Sequence, residues 1–378
     1  HAKVELGAYQ AQLNLRHMAW ASHYDRNTGV NDTKIKRVDH ALEVGDVIWV
    51  RPVMVKVKPA SEGKKKPKQP AEKRAQPEVE QRVLATDKKS GERMVELGQD
   101  TRNEAAVYTL EHGSGYVTGM QGGHDYDRSQ FNRTTQACRQ PGSVFKAIYY
   151  ALALDTGAWA MDSILEDKPY EPEPGETWNP QNIGKTLDGK VLLRTALIRS
   201  LNLPSIRLFN KLGAKKVVAW ARRLGFTTEL IADRALSLGA SCVHIDELSR
   251  AFAIFARGGT WVEPVYVRRI VDKTGATLVD NRSVDDPRLD VAGRLDRMGQ
   301  LAYAPPQQII DPRTAFLITR LLREVVTAGI GYSASHIGVP AGGKTGTASK
   351  NTVTTDTWLV GLTSREVTAA WMGDDRYE

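Results

Sequence analysis

The sequence predicts a small all-β unit followed by a part that mixes helices with strands in hairpins. Three observations carry this. The texture changes near residue 100, from short strands and turns to longer apolar segments. Two stretches read as hairpins far apart in the chain, 103–123 and 342–373. Between them lie helical patterns at 143–156, 191–201, 213–223, 245–257 and 312–328, three of which stop at Gly157, Gly258 and Gly329.

The elements follow in order. "VGDVIWVRPVMVKVK" is β-branched and apolar, entered through Gly45-Asp46, and reads as strand. Residues 57–82, rich in Lys, Pro, Glu and Gln, contain nothing that builds a core and read as a mobile basic loop. "RMVELGQD" reads as the last strand of a first domain, 1–99; the second runs 100–378. "NEAAVYTLEHGSGYVTGMQGG" is a hairpin turning at His112–Gly115. "GTWVEPVYVRRIVDKTGATLVD" is a strand pair turning at Lys273-Thr274-Gly275. "AGGKTGTASK" and "TDTWLVGLTSREVTAAWMG" give the closing strands.

Composition excludes little. The chain has 378 residues, 41% hydrophobic and 25% charged, as soluble globular chains do. A net charge of +8 suits an anionic partner such as nucleic acid, anionic lipid or a polyanionic cell wall. A basic loop on a balanced remainder explains it equally. Two cysteines, Cys138 and Cys242, are too few for a disulfide framework and are read as small buried thiols. No spacing suggests a metal site, and no cofactor is expected. No apolar run reaches the roughly 20 residues of a membrane span. The chain opens without Met and reads as a fragment.

The chemistry starts at "RQPGSVFKAIYYALALDTG", residues 139–157. A buried lysine needs a partner or a task. Ser143 and Lys146 are three apart at a helix start, on one face and within hydrogen-bonding reach. A serine hydroxyl needs a base, and a lysine serves only when neutral. The helix N-terminus offers N–H groups to an oxyanion. Alone, the spacing means little. Two further elements raise it: Ser200-Leu201-Asn202, which otherwise reads as a helix cap, and Lys344-Thr345-Gly346-Thr347, which otherwise reads as a plain turn. A lysine with two hydroxyls clamps a carboxylate. The second KTG, at Lys273–Gly275, lacks the preceding GG and the trailing Thr and is a decoy.

SxxK, SxN and KTG in this order mark penicillin-binding proteins and related β-lactamases. The chain closely resembles class A penicillin-binding proteins of the Gram-negative type. The stretches "SQFNRTTQACRQPGSVFK", "WNPQN" (178–182), "LSRAFAIFARGGTW" (248–261), "PQQIIDPRTAFLITRLLREVVTAGIG" (306–331) and "GGKTGTASKNTVTTDTWLVGLT" (342–363) are similar to successive parts of that family's transpeptidase domain. Residues 1–99 look like its OB-like insert. Ile330 and "LGAS" at 238–241 depart from the usual pattern but touch no motif residue.

The resemblance implies the α+β serine transpeptidase fold, an antiparallel sheet flanked by helices plus an all-helical part, and D-Ala-D-Ala transpeptidation, with carboxypeptidase as a side activity. It makes Ser143 the acylated nucleophile and Lys146 its proton acceptor. Ser200 relays a proton, Asn202 binds the peptide amide, and Lys344, expected to stay cationic, tunes the charge of the cleft. Thr345, Gly346 and Thr347 bind substrate, and the N–H groups of Ser143 and Thr347 form the oxyanion hole. Implied partners are stem peptides, a lipid-linked precursor, β-lactams, and an outer-membrane lipoprotein activator or other cell-wall proteins. The implied location is the periplasmic face of the inner membrane, with an anchor helix and a glycosyltransferase domain outside this chain.

Two classes compete with this reading. One is a serine β-lactamase or β-lactam sensor; Glu171 and Glu173 invite it, but they precede Ser200, whereas the deacylating Glu of those enzymes follows the SxN motif. The other is an OB-type nucleic-acid binder. Its interleaved aromatics are few here, so no nucleic-acid partner is expected.

Overall fold

The computed structural model describes residues 1–7, 9–21, 35–57, 81–98, 103–172, 175, 178–350 and 353–377. The chain divides into two compact units, His1–Thr101 and Arg102–Glu378. Most of the basic stretch 57–82 lies outside the described residues, as does Glu173.

The first unit holds β1 (Ala2–Leu6), β2 (Tyr9–Leu13), β3 (Val50–Pro52), β4 (Met54–Val57), β5 (Gln81–Leu84) and β6 (Arg93–Leu97). A four-stranded sheet runs in the order β1-β2-β6-β3, with β2 and β6 parallel, and β4 pairs with β5 separately. Ala11, Leu13, Met18, Ile35, Val95 and Leu97 form its small core.

The second unit is built on β7 (Asn103–Glu111), β8 (Val117–Gln121), β13 (Gly342–Lys350), β14 (Val353–Leu362) and β15 (Glu366–Asp374). These form one antiparallel sheet in the order β13-β14-β15-β7-β8, so chain-distant hairpins meet at β15–β7. β7 alternates buried and exposed residues along most of its length, as a strand with one covered face must. Smaller pairs are β9 (Ile164–Asp167) with β10 (Gly189–Leu192), and β11 (Arg269–Val271) with β12 (Thr277–Asp280).

The helices are α1 (Lys146–Asp155), α2 (Leu193–Ile198), α3 (Asn202–Leu212), α4 (Ala214–Arg223), α5 (Ile245–Ala256), α6 (Val291–Tyr303) and α7 (Pro312–Ala328). α5 and α7 cover the sheet, and α1 lies against α7 and α4. α1 is apolar on nearly every side, which marks a central helix: eight of its residues are buried, Lys146 among them.

Two helices depart from the sequence reading. Helix 191–201 shortens to α2, because residues 191 and 192 close β10 and the chain turns at Ser200-Leu201, and α3 fills a stretch where no helix was expected. α6 carried no recognised signal. It buries no residue, so no core imposes a 3.6-residue pattern, and Gly293 and Gly299 weaken its propensity.

The cysteines require a correction. Cys138 and Cys242 are bonded to each other, with Cα atoms 5.1 Å apart, rather than being buried thiols. The physical reason is the antiparallel bridge beside them, where Arg139 and Val243 exchange both backbone hydrogen bonds at 3.0 and 2.9 Å. That bridge joins the two segments, and the cysteine Cα atoms stand within the range a disulfide needs.

Candidate active site

Ser143 sits in a 3-10 turn, Gly142–Phe145, that feeds directly into α1. The turn lies against β13 with no space for side chains. Gly142 has φ +54°, and a Cβ there would lie well inside contact with the carbonyl of Thr347. A Cβ on Gly346 would strike the carbonyl of Pro141. Glycine at both positions lets the two backbones touch.

The approach to the turn is tied down from beneath. Arg139 is buried, donates from Nε to Asp356 Oδ1 at 2.8 Å and from Nη2 to the Asp374 carbonyl at 3.0 Å, and stacks on Trp371 at 4.7 Å. Trp371 Nε1 donates to the same Asp356 oxygen at 2.9 Å, and Trp358 Nε1 to the Gln140 carbonyl at 2.7 Å. These contacts fix the chain just ahead of Ser143, and sequence reading did not find them.

Ser200 and Asn202 occupy the corner between α2 and α3. The N–H of Ser200 bonds to the Leu197 carbonyl at 3.0 Å, and that of Leu201 to the Ala196 carbonyl at 2.9 Å. This double closure is the Schellman ending, and Ser200 takes the left-handed position with φ +56°. Glycine is the cheaper residue there. Serine brings a hydroxyl, which accepts from Lys344 Nζ at 2.8 Å. The triplet is therefore a helix cap as well as part of the cleft.

Lys146 and Lys344 are both 0% exposed. Lys146 Nζ donates to the Ser200 carbonyl at 2.9 Å, the Leu201 carbonyl at 3.3 Å and Asn202 Oδ1 at 2.7 Å. The expected Ser143–Lys146 hydrogen bond is not among the described contacts. Three oxygens of the corner hold a buried amine better than one hydroxyl does. Burial, then the charge of Lys344, pushes Lys146 well below the usual lysine range. A neutral amine keeps two donated bonds and frees a lone pair, so this nitrogen can act as a base.

Lys344 also donates to the Thr345 carbonyl at 3.0 Å, and burial pushes it down to about 7. The expectation of a permanent cation is thus modified: in the unliganded cleft Lys344 titrates near neutrality. Thr345 is half-buried, Gly346 buried and Thr347 exposed along β13, the edge strand of the sheet. An edge strand leaves one row of backbone groups for an extended peptide.

The decoy is a turn between β11 and β12. Thr274 donates to Asp272 through both N–H and hydroxyl, at 2.8 and 2.7 Å. Glu171 is exposed in a loop. Among the described residues, no cluster of His, Cys, Asp or Glu is placed to hold a metal, and no helix is long and apolar enough to cross a membrane.

A stability consequence follows from Lys344. Its folded value near 7 lies below the 10.5 of an exposed lysine, so the unfolded chain binds more protons between those values. Stability must rise with pH across that window, and burial costs a few kcal/mol at pH 7, at about 1.4 kcal/mol per unit. Lys344→Met is expected to raise the melting temperature at pH 7, with a gain that shrinks toward pH 10. Thermal scans of both chains at both pH values check this; an equal or larger gain at pH 10 contradicts it.

The fold belongs to a known class. The family model described as the penicillin-binding protein transpeptidase domain matches residues 105–373, and the chain belongs to that family. Its relatives include penicillin-binding protein 1A of Rickettsia felis, 32% identical over 289 residues that make up 74% of this chain and 35% of that protein. The solved structure of penicillin-binding protein 1A from Haemophilus influenzae is 30% identical, with TM-score 0.65, covering 76% of this chain and 45% of that one. The PonA1 protein of Mycobacterium tuberculosis, solved in complex with penicillin V, shares the fold at 23% identity and TM-score 0.60, covering 74% of this chain and 71% of that one. The chain spans about a third of the length of the curated relatives it matches.

Proposed function

We propose that this chain cross-links peptidoglycan as a serine-type D-Ala-D-Ala transpeptidase, by way of an acyl-enzyme on Ser143. The convergence of two buried lysines on the Ser200–Asn202 corner carries the reading. Lys146 takes the Ser143 proton as Oγ attacks the penultimate D-Ala carbonyl. The N–H groups of Ser143 and Thr347 stabilise the oxyanion. The C–N bond breaks, and terminal D-Ala leaves with a proton relayed through Ser200. An acceptor amine then attacks the ester, forms the new amide and restores Ser143. Lys344, Thr345 and Thr347 hold the substrate carboxylate, and Asn202 holds the peptide amide.

β-Lactams acylate the same serine; a relative's structure with penicillin V supports this. A periplasmic site at the inner membrane accords with the Cys138–Cys242 bond, since disulfides persist in oxidising compartments. A glycosyltransferase domain, an anchor helix and a lipoprotein activator belong to the proposed parent protein, and residues 1–99 to its OB-like insert.

The test is partition of a donor ester or thioester ending in D-Ala between water and an added D-amino acid. Transpeptidation predicts that the amide product grows with acceptor concentration at the expense of hydrolysis. Hydrolysis alone at every acceptor concentration, with fast β-lactam turnover, favours the β-lactamase alternative.

A further inference from the structure

α3 opens at Asn202 without a local cap, because the preceding Leu201 has no side-chain oxygen. The cap comes from a distant residue. Asn182 Oδ1 accepts the N–H of Asn202 at 2.9 Å and that of Leu203 at 3.1 Å. Its Nδ2 donates to Asp167 Oδ1 at 2.7 Å and to the Thr186 carbonyl at 3.0 Å. Both ends of the carboxamide are filled, and a reversed amide would set all four contacts like against like. Asp167 is 1% exposed at the end of β9, and its second oxygen accepts the N–H of Asp188 at 3.0 Å.

The neighbouring residue completes the arrangement. The Gln181 carbonyl accepts Asn202 Nδ2 at 2.7 Å, which leaves Asn202 Oδ1 turned to Lys146 Nζ. One short segment therefore holds Asn202 at its backbone and at its side chain. Asn202 in turn supplies one of three oxygens around Lys146, and the other two come from the residues immediately before it.

We propose that Asn182, oriented by Asp167, is a positioning residue for Lys146: it fixes the corner whose oxygens hold the lysine nitrogen. This rests on the reading of Lys146 as the base for Ser143. A shift of the corner by an ångström changes both the reach of the amine and the number of acceptors that favour its charged form.

The experiment measures acylation by a fluorescent penicillin from pH 6 to 10, together with thermal unfolding, on the whole chain. Asn182→Leu is expected to slow acylation by about 30-fold or more and to move the rising limb of the pH profile to lower pH, because the ammonium loses a held acceptor. Asn182→Asp sets two carboxylates face to face and is expected to be as slow. Adding Asp167→Asn restores a donor between them and leaves an oxygen for the Asp188 N–H, while the Thr186 carbonyl stays without its donor, so the double variant is expected to acylate about fivefold faster than Asn182→Asp without reaching the parent rate. If Asn182→Leu folds and acylates at the parent rate with an unmoved profile, the proposal is overturned. It is equally overturned if the double variant is no faster than Asn182→Asp, and this pair decides the matter where Asn182→Leu does not fold. A parent chain that forms no penicillin adduct refutes the transpeptidase reading itself, which separates the two failures.

Discussion

Ser143→Ala is expected to take up no penicillin at all, while the parent chain gains the mass of one molecule and keeps it for hours. Intact-mass measurement of both proteins, immediately and after removal of free drug, reads the result. The substitution removes one half-buried hydroxyl that makes no hydrogen bond among the described contacts, so melting should shift by no more than about 1 kcal/mol equivalent. A persistent adduct is expected because Glu171 is exposed in a loop and offers no activated water. Labelling of Ser143→Ala would displace the nucleophile to another residue. Rapid return of the free parent would point to a β-lactamase.

The second large effect separates the two lysines. Lys146→Arg is expected to lower the acylation rate by about a thousandfold or more, roughly 4 kcal/mol in the barrier, since a guanidinium cannot give up its proton. Lys344→Arg keeps a charge and is expected to retain activity within about a hundredfold, losing mainly fit. The pH profile carries the sign. At low substrate the parent rate rises as Lys146 loses its proton. It falls as pH passes about 7 and Lys344 loses the charge that meets the substrate carboxylate. In Lys344→Arg the falling limb should disappear from the range pH 6–10. Parent-like acylation by Lys146→Arg would remove the base from this mechanism.

The motif residues were legible because each motif is a local string whose spacing survives any change in the surrounding chain. The sheet was legible for a similar reason: hairpins such as 103–121 announce themselves by alternation and turn residues. What joins separate segments was not. Cys138 and Cys242 are 104 residues apart, and nothing in either neighbourhood shows that Arg139 and Val243 will bridge. WNPQN was legible as a stretch, but nothing in it or in the strand ending at Asp167 shows that Asn182 and Asp167 meet beneath Asn202. Lys344 reads as a permanent cation of the cleft, because its full burial is a property of the assembled fold.

The order of strands in the main sheet has a consequence for how the protein comes into being. β7 emerges from the ribosome first, yet its inner neighbour is β15, made of residues 366–374. The nucleophile turn likewise meets β13 only after some two hundred further residues exist. Contacts so remote in sequence form late, after the intervening chain has paid its loop-closure entropy. A nascent chain thus carries Ser143, Lys146 and the Ser200 corner long before the edge strand arrives to complete the cleft. During that interval the β7–β8 hairpin keeps one edge of β7 open to wrong partners, the exposure that favours assistance by chaperones. The cleft and the native sheet mature together, so a chain caught half-made carries the motif residues without the edge strand that completes their surroundings.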